Sequence, residues 1–379
     1  MVFLLSSENI SDYLIQHNLL NSSTETISDI EQVRAKNFNL LVTLENNNRL
    51  LVKQEMRDSE GKANGDLFQE WQIQELIRRF SQLKHFRQFL PDLLWFDREN
   101  FLIVFRYLDN YLDLYDFYTQ ANSFPQQIAS EIGKTLATLH RDSYNCQDYW
   151  EFLVAYGDNQ IIHQVRFLIR TWERIEPEIF GEVPREALKF FALYQKYDSL
   201  GIAIAELGNA LKPSCLTHND LKLNNILLNR DWEQSDENIL RLIDWERLSW
   251  GDPTFDFGTI ISSYLQIWLT SLVVGQSISI EESLSSAIIP IKSLQPSIAA
   301  LTRAYFKVFP AILNHRPDFL ERTVQFAGFT LIQQIYARVQ FQKCFDNTGI
   351  AMLQVAKSLL CRPKQSIPTV FGTTADNLI

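Results

Sequence analysis

The sequence predicts an α+β protein of two lobes, a small antiparallel β lobe at the N-terminus and a larger, mainly α-helical lobe after it. Three observations lead there. Short apolar runs separated by turn residues dominate before residue 107, whereas apolar residues recur at helical spacing over long stretches beyond it. A β-rich island, residues 215–243, interrupts the helical half. At 379 residues the chain is also too long for one small core.

The elements follow in order. An amphipathic helix is expected after Ser6 and Ser7, running through Tyr13 to Leu20. NLLVTL (39–44) and RLLVKQE (49–55) read as two strands joined by a turn at 45–48. A polar, Gly-containing stretch at 58–66 leads into a long helix, 67–83. Strands are expected at 92–96 and 101–106, which closes the first lobe at residue 106. Helices then cover 126–140, 149–156, 160–175 and 186–207, and resume after the island to about 360. The second lobe is therefore 107–361, and the polar tail 362–379, with its Pro and Gly, reads as loose.

Composition narrows the functional classes. With 46% hydrophobic residues and 26 Phe, the chain has ample material for a core, and global disorder is excluded. The net charge of −10 and a pI near 5.2 offer no footprint for nucleic acid. The densest basic run, Arg78, Arg79, Lys84, His85 and Arg87, reads as the last turns of a helix, where cations suit the dipole. Cys146, Cys215, Cys344 and Cys361 are scattered without a CxxC pair, which argues against zinc or a disulfide framework and fits a cytoplasmic protein. The opening MVFLLSSEN lacks a basic region and is too short for a signal peptide. Residues 257–280 carry no charge, but Ser262, Ser263, Gln266 and Thr270 recur at helical spacing. A buried amphipathic helix is expected there rather than a membrane span.

The chemistry lies in the island, CLTHNDLKLNNILLN followed after a gap by RLIDWERLSWGDPTFDFG. His218, Asp220 and Asn225 fall on a loop between two apolar strands, and Asp244 ends another. Taken singly, Asp and Asn at such places are ordinary turn formers. Together they match what phosphoryl transfer needs, a carboxylate for the acceptor hydroxyl and hard oxygen ligands for Mg²⁺. Asp220 suits the first role, Asn225 and Asp244 the second.

In these residues the chain resembles the aminoglycoside phosphotransferase and choline-kinase-like superfamily, itself related to protein kinases. His218-x-Asp220-x₄-Asn225 matches its catalytic loop, and Ile243-Asp244-Trp245-Glu246 its metal-binding strand. Gly251-Asp252-Pro253 with Asp256 matches the segment that braces the loop, and Leu136-Ala-Thr-Leu-His140 a helix ending common in the family. The resemblance implies a two-lobed protein-kinase-like fold with ATP and Mg²⁺ as cofactors. It implies Asp220 as catalytic base, Asn225 and Asp244 as metal ligands, His218 as a loop brace, and Glu246 at most as an auxiliary. It places Lys53 on the α- and β-phosphates, paired with Glu70 or, second, Glu75. The adenine would lie against backbone groups of Arg106, Tyr107 and Leu108, so that 1–106 is the nucleotide-binding lobe.

Two departures stand out. The stretch over the phosphates, residues 33–39, has no glycine, although relatives often keep an asparagine near Asn37. Lys222 makes the run HNDLKLNNILL closer to the catalytic loop of Ser/Thr protein kinases. It would serve the transferring phosphoryl group, or it faces solvent. The leading expectation is a kinase for a small hydroxylated molecule. A Ser/Thr peptide kinase is the alternative, and a pseudokinase binding module the third, against which the intact Lys53, Asp220, Asn225 and Asp244 speak.

Overall fold

The computed structural model describes residues 3–21, 25–57, 65–156, 164–175, 183–235, 239–275 and 278–379. The chain divides into two compact units, Met1–Leu112 with Leu227–Leu248, and Asp113–Ile226 with Ser249–Ile379. The expected boundary at 106/107 thus lies six residues before the first crossing, and the segment that carries Asp244 clusters with the N-terminal unit.

After α1 (Ile10–Gln16), three strands form in succession: β1 (Ile27–Val33), β2 (Phe38–Leu44) and β3 (Arg49–Gln54). Asn47, with a φ of 63°, turns β2 into β3, a conformation that Asn tolerates better than most residues. α2 (Asp66–Arg79) follows, then β4 (Leu93–Asp97) and β5 (Leu102–Arg106). The antiparallel sheet runs β1-β2-β3-β5-β4. Alternation along β3 and β5 sorts two faces. Leu50, Val52, Leu102 and Val104 pack with Ile10, Tyr13 and Leu14 of α1, while Ile103 and Phe105 pack with Leu67 of α2. Lys53, opposite Ile103 in the register, therefore belongs to the face that α2 covers.

Beyond β6 (Tyr111–Asp113) the chain is mainly helical. α3 (Leu114–Ala121), α4 (Gln126–Ser143), α5 (Gln147–Tyr156), α6 (Gln164–Glu173), α7 (Arg185–Gln195) and α8 (Asp198–Asn209) lead to four short strands. These are β7 (Cys215–Thr217), β8 (Ile226–Asn229), β9 (Leu240–Leu242) and β10 (Ser249–Gly251). β10 pairs with β7, and at Gly251 a Cβ would lie 2.1 Å from Thr217 Oγ1, so only glycine permits the approach. α9 (Pro253–Thr270), α10 (Ile280–Ser285), α11 (Ile291–Val308), α12 (Ile312–His315), α13 (Phe319–Gln342), α14 (Asn347–Cys361) and α15 (Pro363–Phe371) complete the second unit.

Several expectations need correction. β1 was not foreseen, because its half-buried residues Ile27, Ile30 and Val33 fall three apart and its register slips between Ile27 and Asp29. The helix expected to reach Leu83 ends at Arg79, where Phe80 turns extended, so Lys84, His85 and Arg87 lie on a 3₁₀ segment, Ser81–Phe89. The helix expected at 186–207 is two, since Tyr197 leaves helical geometry to meet Gln354 and the Lys357 ammonium. The stretch 58–64 and the start of the helix expected at 160–175 lie outside the described residues.

The uncharged segment forms α9, but not as an amphipathic helix: Ser262 and Ser263 are buried with the apolar residues around them. Among the described residues no helix is long and apolar enough to cross a membrane. The tail at 362–379 is not loose. Pro363 starts α15, Ile367, Val370 and Phe371 are buried at helical spacing, and Gly372 closes the helix at a φ of 69°.

Candidate active site

In the first unit a cluster of opposite charges forms around Lys53. Strand alternation aims its side chain at α2, where Glu70 Oε1 accepts from Nζ at 2.8 Å. Asp244 Oδ1 lies 3.7 Å from the same amine, and the Phe105 ring centre 5.6 Å away. Burial opposes the ammonium form, yet Glu70 and Asp244 outweigh it, and the Lys53 pKa is raised. Burial raises the pKa of Glu70 and of Glu246 as well. Glu75 instead pairs with Arg78 on the exposed side of α2, which settles the partner of Lys53 as Glu70.

Asp244 sits at a φ of 66°, a left-handed conformation that Asp visits more readily than most residues. Trp245 follows it. Its indole is fully buried, donates from Nε1 to the Leu242 carbonyl at 3.0 Å, and meets Phe86 edge to face. The Asp244 side chain stays about 35% exposed, an oxygen donor available to a ligand.

In the second unit the loop after β7 is fixed through its backbone. Asp256, fully buried one turn into α9, accepts from the His218 N–H at 2.8 Å and the Asn219 N–H at 2.7 Å. His140 Nε2 lies 3.4 Å from the same carboxylate, and its Nδ1 2.9 Å from the Tyr305 hydroxyl. Asn219 turns the loop at a φ of 60°, its amide donating to Ser249 Oγ. Further along, Leu223 N–H donates to Ser263 Oγ at 3.4 Å. One apolar helix therefore aligns the whole loop.

On this frame Asp220 projects with half-buried surroundings. Lys222 Nζ donates to its Oδ2 at 3.0 Å, and Asn225 Nδ2 donates to its carbonyl at 2.8 Å and to Oδ2 at 3.3 Å. That commits the Asn225 amide nitrogen, while its Oδ1 takes no part in these bonds. The Asp220 N–H donates to His218 Nδ1 at 3.3 Å. The structure thus brings together Asp220, Lys222, His218 and Asn225 in one unit, and Lys53, Glu70 and Asp244 in the other.

The remaining expectations fare differently. Asn37 lies in the tight β1–β2 turn, but its neighbour Lys36 makes the contacts: Nζ reaches Asp66 Oδ2 at 2.5 Å and both Glu246 oxygens at 3.2 Å. The Arg106 and Tyr107 N–H groups are committed to the Asp92 and Arg49 carbonyls. The Tyr107 ring lies under the Arg49 guanidinium. Among the described residues the Leu108 N–H meets no protein acceptor, while its carbonyl accepts from Tyr111. The sequence reading also missed Arg316, which is buried and donates to Asp252 at 2.6 Å, fixing the residue that caps α9. A cavity of about 570 Å³ opens between α6, α7 and α8, lined by Glu173, Tyr194, Tyr197 and Asp198, but shares no residue with the loop.

Comparison with known proteins agrees with this frame. The family model of the APH phosphotransferase enzyme family matches residues 72–278, more than half of the chain. Among curated proteins, none matches the chain in sequence. Solved structures do match in fold. A choline/ethanolamine kinase family protein from Mesorhizobium loti is 13% identical at a TM-score of 0.54, covering 97% of this chain and 99% of that one. A glucosamine kinase complexed with glucosamine, ADP and phosphate is 12% identical at 0.55, covering 97% and 88%. The streptomycin–ATP complex of APH(2")-IIa is 16% identical at 0.51, covering 95% and 99%. These likenesses show the fold, a kinase-like α+β architecture with a small antiparallel sheet and a larger helical part. With the family model spanning more than half of the chain, including the His218–Asn225 loop, Asp244 and Asp256, the chain belongs to the APH phosphotransferase enzyme family.

Proposed function

We propose that the protein transfers the γ-phosphoryl group of ATP, taken with Mg²⁺, to a hydroxyl of a small-molecule acceptor. The observation that carries this reading is the Asp220 carboxylate, held by Lys222 and Asn225 on a loop whose backbone Asp256 locks. A carboxylate so held can accept the acceptor's hydroxyl proton as its oxygen bonds to phosphorus and the bond to ADP breaks. Lys222, already beside Asp220, offers its ammonium to the charge on the phosphoryl oxygens.

Lys53, kept charged by Glu70, suits the α- and β-phosphates. The donor chemistry fits Mg²⁺: Asp244 offers a partly exposed carboxylate and Asn225 an amide oxygen, both hard ligands. When bound, the ion neutralises phosphate charge. The Leu108 N–H is the donor open to an adenine acceptor nitrogen, because Arg106 and Tyr107 are already paired. The similar structures include a choline/ethanolamine kinase family protein, a glucosamine kinase with glucosamine and a streptomycin–ATP complex, and a small hydroxylated acceptor follows that precedent. The experiment is direct. Purified protein with ATP·Mg²⁺ is offered aminoglycosides, choline, amino sugars and Ser/Thr peptides, and mass spectrometry looks for one added phosphoryl group. Phosphorylation of a small molecule supports the proposal, and phosphorylation of peptides alone rejects it.

A further inference from the structure

The β1–β2 turn has no glycine, so its backbone cannot approach a ligand as a glycine-rich loop does. What the turn does have is Lys36, and the structure gives its amine two anchors. Asp66 Oδ2, at the first residue of α2, lies 2.5 Å away, and both Glu246 oxygens lie at 3.2 Å. Glu246 is almost fully covered, with 9% of its side chain exposed. It stands two residues beyond Asp244 and acts electrostatically on Lys53 as well. Lys36 and Lys53 therefore belong to one cluster, in which two ammonium groups face Asp66, Glu70, Asp244 and Glu246. Burial works against the Lys36 charge, but Asp66 and Glu246 prevail and raise its pKa, so the amine stays charged.

We infer that Lys36 is a positioning residue for nucleotide binding. It latches the β1–β2 hairpin onto α2 and the Asp244–Glu246 turn, by side-chain ion pairs in place of glycine-mediated backbone contacts. This rests on the reading of the Lys53–Asp244 cluster as the nucleotide-phosphate site. Without the latch the hairpin tip loses both side-chain anchors, and among the described residues the nearly buried Glu246 carboxylate keeps the Arg247 guanidinium, 4.0 Å away, as its ion-pair partner. A hairpin that opens must be closed again at the cost of binding, which weakens affinity.

The test compares wild type with Lys36→Met and Lys36→Arg. Hydrogen–deuterium exchange of the ligand-free protein should show faster exchange at residues 34–37 in the Met variant, with protection restored in the Arg variant. Calorimetric titration with a non-hydrolysable ATP analogue and Mg²⁺ should show about 2- to 5-fold weaker binding for Met, and near-normal binding for Arg, the scale of one partly exposed charge pair. Equal protection of the hairpin in Met and wild type overturns the latch. Lost protection with unchanged analogue affinity overturns its role in nucleotide binding. If wild type itself fails to bind the analogue, the phosphate-site reading falls, while the exchange data still decide the latch.

Discussion

The two candidate clusters, one in each unit, are held in opposite ways. Around Lys53 the fastening is by side-chain ion pairs, Lys53 on Glu70 and Asp244, and Lys36 on Asp66 and Glu246. Around Asp220 it is by backbone, with two loop N–H groups on buried Asp256 and a third on Ser263. Ion pairs can be exchanged for phosphate or metal at modest cost, because one charged partner replaces another. Backbone hydrogen bonds to a buried carboxylate cannot be exchanged, and they fix an atom's position. The contrast fits a division of labour: the first cluster must admit and release a charged ligand, whereas the second must keep a reacting oxygen in place.

The largest effect should come from breaking the backbone frame. Asp256→Ala leaves the His218 and Asn219 N–H groups without their acceptor inside the core, and about 3–5 kcal/mol of stability should be lost. Urea denaturation measures it; a loss under about 1 kcal/mol would mean that α9 does not brace the loop.

Next comes the ion-pair cluster. Lys53→Met strands Glu70, which is buried, and should cost about 2–4 kcal/mol near neutral pH. The pH dependence has a definite sign. Burial raises the Glu70 pKa, and Lys53 is the partner that opposes the rise. With Lys53 gone the folded-state pKa climbs further, so the penalty is full above that value and shrinks as pH falls and Glu70 takes up a proton. Denaturation of variant and wild type from about pH 8 to about pH 5 should show the gap narrowing. A gap that widens on acidification contradicts the assignment.

The smallest effect concerns the second layer of the frame. Tyr305→Phe removes the 2.9 Å hydrogen bond to His140 Nδ1 and should cost about 1 kcal/mol, with the fold intact. If it instead costs as much as Asp256→Ala, the frame depends on His140 orientation more than on the direct backbone bonds.

How much of this could be read from the chain depends on sequence distance. His218, Asp220, Asn225, Asp244 and Asp256 lie within 39 consecutive residues, so their spacing announces a loop, a strand end and a brace. The Lys53–Glu70 pair was legible only through the family resemblance, since a lysine on a strand by itself reads as a solvated edge charge. Lys36–Glu246 was not, since the two lie 210 positions apart and each alone looks like a solvated charge. Arg316–Asp252 was hidden for the same reason, at a separation of 64. The misread tail is a different case. Its Ile367, Val370 and Phe371 already stand at helical spacing, and the prolines at 363 and 368 concealed the pattern.

In the proposed reaction Asp220 acts on the acceptor and not on the nucleotide. Asp220→Asn keeps the shape of the side chain and its contact with Lys222 while removing the base. The measurement pairs turnover of ATP with an acceptor identified by the mass-spectrometric screen and calorimetric affinity for a non-hydrolysable ATP analogue with Mg²⁺. The account predicts a fall in kcat of about 10²-fold or more, with analogue affinity within about threefold of wild type. Turnover near the wild-type rate, or loss of nucleotide affinity as large as the loss in kcat, would contradict it.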